Sequence, residues 1–386
     1  MREFRVEFLD GKKPECCKSC YYQEDFNKLN GRHKQLLKSA ITIKDFNLST
    51  RTSPHYGYFL HSLENQGLSP YQPVDLQIDL GNLCNSGCIM CHPVASSKLE
   101  RDYEKLNAVD AELFPKLDRY QSWTKDPEAM ENFINSIKQI MNLGYIHLLG
   151  GETLFDPAFY AICDALIAAR LSHKIILGTT TNGTIYNDKI ERYSKMFKEF
   201  HLGISIETIS TLNDYIRYPS EISVVIKNIM KFKKLRDENK RLFVSLRITP
   251  NVFTMYEMDQ LLRFMWEHDL PAESCNILTD PKHLRIELMP DDIRKETITK
   301  IKDLIEELDL KKNQILNARH RDNIKLSIAD LCIEYLDFLE TYEIPKDADR
   351  HRENLVRFVK AFESLRKNRI TDYATRYQEF LTAHGY

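Results

Sequence analysis

Cys84, Cys88 and Cys91 stand in a CxxxCxxC run within Gly81-Asn-Leu-Cys-Asn-Ser-Gly-Cys-Ile-Met-Cys-His-Pro93. Thiolates at this spacing on one short loop suit a cuboidal iron–sulfur cluster in which each cysteine holds one iron. Three ligands for four irons leave one iron open. An open position is what separates a catalytic metal site from a closed structural one. The competing readings are a zinc knuckle or plain buried thiols. Zinc normally takes four ligands, and His92 lies too close to Cys91 to be the usual fourth. A second group, Cys16, Cys17 and Cys20, offers three local thiols. These could hold zinc or an incomplete cluster with one ligand from elsewhere, or be simple free thiols. Cys163 and Cys332 fall on apolar helical faces and read as core, while Cys275 stays open.

The cysteine loop needs elements to hold it. Val74–Leu80 alternates with period two and reads as a half-buried strand running straight into the loop. Further strand-like runs are Tyr145–Leu149, Ile175–Leu177 with its extension to Thr179, Leu202–Ile206, Leu242–Ile248 and a weaker one at Cys275–Leu278. Helical patterns lie between them, near 131–141, 187–197, 222–236 and 255–267. Asp156-Pro157 is a good helix start, because Asp caps free amides and Pro fits the first turn. Phe159, Ile162, Cys163, Leu166 and Ile167 then follow at helical spacing. Six strands alternating with helices imply a parallel sheet with right-handed crossovers. Six units are fewer than the eight of a closed barrel. The expected fold class is α/β, an open, partial (β/α)6 TIM-like barrel. Residues 1–72 read as an irregular N-terminal segment carrying Cys16, Cys17 and Cys20. Residues 73–286 read as the barrel, and 287–386 as a helical C-terminal extension, with two or three helices over 324–341 and 350–383.

In parallel α/β folds, sites form from loops at the carboxyl ends of strands. Three such ends carry polar groups. The second strand ends in Gly150-Gly-Glu-Thr153, where glycines allow close backbone approach to a ligand and the Glu152 carboxylate can accept from an ammonium. An ordinary strand-to-helix turn is the alternative. The third ends in Thr179-Thr-Thr-Asn-Gly-Thr184, and the fourth in Ser205-Ile-Glu207, followed by Tyr215-Ile-Arg217. Hydroxyls and amides at strand ends also commonly cap turns, and Arg217 could equally form a structural ion pair.

Composition narrows the classes. Of the 386 residues, 42% are hydrophobic and 28% charged, as in a soluble globular protein. A net charge of −2 gives no basic balance toward nucleic acid, and Arg32–Lys38 reads as a solvated helix face. There is no apolar run of membrane-spanning length and no apolar signal core after Met1. Odd-numbered, clustered cysteine argues for metal binding in a reducing cytoplasm over a disulfide scaffold.

The cysteine run resembles the cluster motif of the radical S-adenosylmethionine (radical SAM) enzymes, and Gly150-Gly-Glu152, Thr181-Asn182-Gly183 and Ser205-Ile-Glu207 resemble that family's strand-end motifs over roughly 74–280. Two departures are visible: Met90 stands where the family often has an aromatic residue, and Thr153 where it often has Pro. The resemblance implies a 4Fe–4S cluster on Cys84, Cys88 and Cys91 whose open iron binds SAM. Reductive cleavage of SAM would then give a 5′-deoxyadenosyl radical that abstracts hydrogen from a substrate. It also implies SAM contacts from Met90, Gly150, Gly151, Glu152, Thr181, Asn182, Ser205, Glu207, Arg217, Arg247 and Asn276. No catalytic base is implied. The stretches Pro14–Glu24, Asn276–Pro281 and Leu288–Pro290 are similar to flanks of radical SAM proteins with a "twitch" accessory region, related to the SPASM group, which often holds an auxiliary iron–sulfur cluster. Such relatives favour a peptide or protein substrate and need a reductant such as flavodoxin or ferredoxin. The rivals are a small-molecule tailoring enzyme for a nucleoside, sugar or amino acid, and a non-catalytic iron–sulfur or zinc-binding protein.

Overall fold

The computed structural model describes residues 75–118, 120–310 and 324–386, with isolated positions before residue 75; side chains at 273–275 and 324–327 are not described. The chain divides into two compact units, Met1–Pro73 and Val74–Tyr386. Cys16, Cys17, Cys20 and the Arg32–Lys38 stretch lie outside the described residues.

The second unit is built on six parallel strands in sequential order: β1 (Asp75–Asp79), β2 (Tyr145–Leu149), β3 (Ile176–Thr181), β4 (Glu199–Ser205), β5 (Leu242–Ile248) and β6 (Ala272–Cys275). Helices fill the crossovers: α1 (Ser97–Leu106) and α2 (Pro127–Lys138) after β1, then α3 (Pro157–Ala168) after β2 and α4 (Asp188–Met196) after β3. The short α5 (Leu212–Ile216) and long α6 (Ile222–Glu238) follow β4, and α7 (Met258–Glu267) follows β5. Among the described residues β1 and β6 each have a single sheet neighbour, so the sheet stays open as a partial (β/α)6 barrel. Alternation sets its two faces. Along β5, Leu242, Val244, Leu246 and Ile248 are buried toward the helices, while Phe243, Ser245 and Arg247 are half-buried on the other face.

Local chemistry explains most boundaries. The Asp156 carboxylate accepts from the Ala158 N–H at 2.8 Å, with Pro157 in the first turn of α3, as the sequence predicts. Asp126 and Pro127 repeat the device at α2, where Asp126 accepts from Glu128 and Ala129. Asn187 caps α4. Two strands differ from expectation. β4 begins at Glu199, three residues early, because Glu199, Phe200 and His201 pair in register with Ile176, Leu177 and Gly178. The last strand is Ala272–Cys275, earlier than Cys275–Leu278, because Leu246 already donates its N–H to the carbonyl of Pro271.

After the barrel come α8 (Asp291–Glu307), α9 (Ile324–Thr341), α10 (Ala348–Arg366) and α11 (Gln378–Ala383). The last three are within the two or three helices expected over 324–341 and 350–383. Lys367 takes a left-handed conformation, φ 58°, and closes α10 by donating its N–H to Glu363. Helix α10 is fastened to the segment after α1 by a ring cluster. Phe114 stacks on Phe358 with centroids 5.5 Å apart and meets Phe362 at 5.7 Å, and all three are buried. Arg357 adds paired hydrogen bonds to Asp110, both 2.9 Å. No described helix is long and apolar enough to cross a membrane.

Truncating a buried ring leaves a cavity as well as lost transfer energy. Phe358→Ala is expected to cost about 3–5 kcal/mol of unfolding free energy. Arg357→Ala, which removes an ion pair whose arginine is solvent-exposed in part, should cost about 1 kcal/mol or less. Urea denaturation of both variants checks the order; equal losses would mean that the ring cluster does not hold α10.

Candidate functional site

The cysteine loop leaves β1 and has no regular structure of its own, so its backbone is satisfied from outside. Gly87 N–H donates to Tyr218 O at 2.7 Å and Ile89 N–H to Ile216 O at 2.9 Å, which ties the loop to the segment ending α5. The start of α1 clamps it from another side. Ser96 caps α1 by accepting from Leu99 N–H and donates its own hydroxyl to Ser86 O at 2.6 Å. Ser97 N–H donates to Asn82 O, and the Ser97 hydroxyl accepts from Cys84 N–H.

The Gly-Gly-Glu turn closes the third side. Gly151 N–H donates to Gly81 O and Glu152 N–H to Leu83 O. A Cβ on Gly151 would sit 2.6 Å from Leu83 O, and one on Gly150 2.8 Å from Gly81 O. The close approach these glycines permit is to the entry of the cysteine loop itself. That demand by itself accounts for both of them.

Glu152 is 1% exposed. Its carboxylate accepts from Leu154 N–H at 3.0 Å, Thr181 Oγ1 at 2.7 Å and Asn182 N–H at 2.5 Å. Burial pushes its pKa up, and these donors, with Arg217, pull the other way. Asn182 continues the network, donating its side-chain amide to Asn85 Oδ1 at 2.7 Å and Ser86 Oγ at 3.0 Å. The ends of β2 and β3 and the cysteine loop thus share one hydrogen-bonded network. Three donors occupy three of about four lone-pair positions on the carboxylate. Glu152 is first of all a tie between strand ends.

Beneath the cysteines lie two guanidinium groups. Arg217, at the end of α5, pairs with the fully buried Glu207 and donates to Cys88 Sγ at 3.8 Å. Glu207 also accepts from Thr249 N–H at 2.7 Å. Burial raises the Glu207 carboxyl, with Arg217 opposing. The buried Nε of Arg217 has no hydrogen-bond partner. The second guanidinium is Arg366, the last residue of α10, which donates to Gly87 O at 2.5 Å and to Asp102 at 3.0 Å.

Cys84, Cys88 and Cys91 are free thiols, the first two buried. Desolvation raises all three, pushing Cys84 and Cys91 up to about 12. A metal group would have to displace their protons, and Arg217 and Arg366 then face the resulting thiolates. Among the described residues no three His, Cys, Asp or Glu side chains converge on a point suited to one metal ion. A cuboidal cluster gives each thiolate its own iron. The three thiols, the orphaned Nε of Arg217 and the compensating charge fit such a cluster.

Other candidates lie at the rim. Ser205 and Arg247 are register partners at the ends of β4 and β5. Met90 is half-buried, and the Asn251 side-chain amide lies 3.8 Å from its sulfur. Asn276 is exposed just past β6. Cys163 and Cys332 lie in the core. Asn85, Ser86, Ser96, Ser97, Asp102 and Arg366 were not singled out by sequence. Asn85 and Ser86 stood inside the cysteine run. The signal for Arg366 was its place on the apolar stripe of Phe358 and Phe362.

Residues 78–265, from β1 into α7, match the Radical SAM superfamily model. The match covers just under half of the chain, and the members of that superfamily are enzymes that use SAM and a 4Fe–4S cluster. Among solved structures, native anSMEcpe with bound AdoMet is similar at 17% identity and TM-score 0.44, over 62% of this chain and 62% of that one. Streptococcus suis SuiB bound to S-adenosylmethionine is similar at 15% identity and TM-score 0.40, over 72% of this chain and 59% of that one. The matched part thus spans less than two thirds of either solved protein. Among curated proteins none matches.

Glu152→Ala leaves the Thr181 hydroxyl and two buried N–H groups without an acceptor. Unpaired buried donors cost about 1–3 kcal/mol each. The variant should lose at least about 2 kcal/mol of stability in urea denaturation. A loss under about 1 kcal/mol would mean that the carboxylate is not a tie.

Proposed function

We propose that the protein is a radical SAM enzyme that holds a 4Fe–4S cluster on Cys84, Cys88 and Cys91 and starts radical modification of a peptide or protein. The observation that carries this reading is the cysteine loop itself. It holds three free thiols in a backbone cage built from the Gly-Gly-Glu and Thr-Asn-Gly strand ends, beside two guanidinium groups. When bound, the cluster and SAM supply reductive cleavage of SAM and the hydrogen-abstracting radical that follows from it.

The chain's own residues hold, orient and shield. Cys84 and Cys88 are 8% exposed, so the protein side of the site is dry. The one uncommitted position on Glu152 suits the SAM ammonium. Gly150 and Gly151 let the Glu152 turn close against the cysteine loop, and Met90 can cover an adenine edge. Ser205, Arg247 and Asn276 sit at successive strand ends and would bound the ribose and carboxylate. Thr181 and Asn182 act through the network rather than by direct contact. Glu207 and Arg217 are committed to each other, and their part is a buried charge beside Cys88. The peptide or protein substrate rests on the twitch-like sequence flanks, and a flavodoxin or ferredoxin would supply the electron. Cys16, Cys17 and Cys20 are the proposed auxiliary site, for an iron–sulfur cluster or zinc.

The anaerobically reconstituted chain should bind about four irons and four sulfides at the core site. Replacing Cys84, Cys88 and Cys91 together with Ala should remove them, along with SAM cleavage. Unchanged iron in the triple variant would overturn the assignment. Iron that survives in it but disappears when Cys17 and Cys20 are also changed to Ser would belong to the N-terminal group. Mass spectrometry of peptide and small-molecule candidates after anaerobic turnover tests the substrate class.

A further inference from the structure

Arg366 comes from the C-terminal helices, yet it ends inside the cysteine loop. Its side chain is 3% exposed, and that of its partner Asp102, on α1, is 10% exposed. One nitrogen, Nη2, makes both of its hydrogen bonds, to Gly87 O and to Asp102. The other two nitrogens, Nε and Nη1, are buried with no hydrogen-bond partner. The guanidinium is sandwiched between rings, its carbon 4.9 Å from the Tyr218 centroid and 4.3 Å from that of Phe362. Gly87 lets it in. A Cβ there would meet Nη2 at 3.0 Å and the Asp102 carboxylate at 3.2 Å.

A buried guanidinium with two idle donors is costly to keep. Loop anchoring alone would be met by one neutral donor to Gly87 O. What the full cation adds is charge, one residue from Cys88 in a region of low dielectric. Reduction adds a negative charge to a cluster, and the potential depends on nearby net charge, hydrogen bonds and exposure.

We infer that Arg366 is a positioning residue that sets the reduction potential of the cluster held at Cys88, with Asp102 as the counter-charge that limits its effect. This rests on the cluster reading given above. Charge and scaffold can be separated because the two partners act with opposite sign. Removing the cation disfavours the reduced, more negative cluster and lowers the potential. Removing the anion leaves the cation uncompensated and raises it. Loop disruption has no reason to give opposite shifts.

The experiment is a redox titration of the reconstituted full-length chain, followed by electron paramagnetic resonance of the reduced cluster. Iron and sulfide are assayed in parallel, and folding is followed by circular dichroism. Arg366→Met should shift the midpoint to more negative values, and Arg366→Lys should restore most of it. Asp102→Asn, which keeps an oxygen acceptor for Arg366, should shift it to more positive values. Should Arg366→Met not fold, Asp102→Asn decides alone: a positive shift supports the inference, and no shift or a negative one overturns it. Met and Asn variants that move together, or a Lys variant no better than Met, also overturn it. A wild-type chain that takes up no iron sinks the cluster reading and this inference with it. A normal cluster with unmoved potentials sinks this inference alone.

Discussion

The cysteine loop is a stretch of polar backbone buried without a helix or a ladder to satisfy it. Buried N–H and C=O groups must find partners, and here most of them come from other elements. Gly81 O and Leu83 O receive the Gly-Gly-Glu turn, Asn82 O and Ser86 O receive the start of α1, and the amides of Gly87 and Ile89 reach the end of α5. The arrangement of β2, α1 and α5 around the end of β1 follows from that demand. The glycines at 150 and 151 follow too, since a side chain there would strike the loop's carbonyls.

Charge is the second constraint on the same place. Thiols buried this deeply resist ionisation, and a cluster requires them ionised. The fold meets this with Arg217 and Arg366, each balanced by a buried carboxylate, Glu207 and Asp102. Each of these two cations has its carboxylate partner on a different element. The thiolates meet positive charge, while the pocket without them stays close to neutral.

Much of this was legible in the sequence. The six alternating units, the Asp-Pro helix start and the grouping of motifs at strand ends all follow from periodicity and turn chemistry. What sequence could not supply was direction. Glu152 reads as a carboxylate offered to a ligand, but its geometry turns it toward Thr181 and Asn182, because the end of β3 presents donors at that height. Arg217 reads equally as ligand contact or ion pair, and the ion pair depends on the placement of Glu207, which only the fold gives. Arg366 is one arginine among many on helices. That it continues a buried aromatic stripe into the loop depends on how α10 docks, which is a tertiary fact. The starts of β4 and β6 were displaced for a related reason, since register with a neighbouring strand overrides local apolar density.

The contact between Arg366 and Gly87 joins residues 279 positions apart. During synthesis the cysteine loop emerges early, and its early braces, the Gly-Gly-Glu turn and the end of α5, follow as the barrel is made. The final brace arrives only when α10 has been translated and docked. Until then Gly87 O and Asp102 lack the guanidinium that joins them. Closure of this side of the loop therefore waits on a helix that lies beyond every strand of the barrel in the chain.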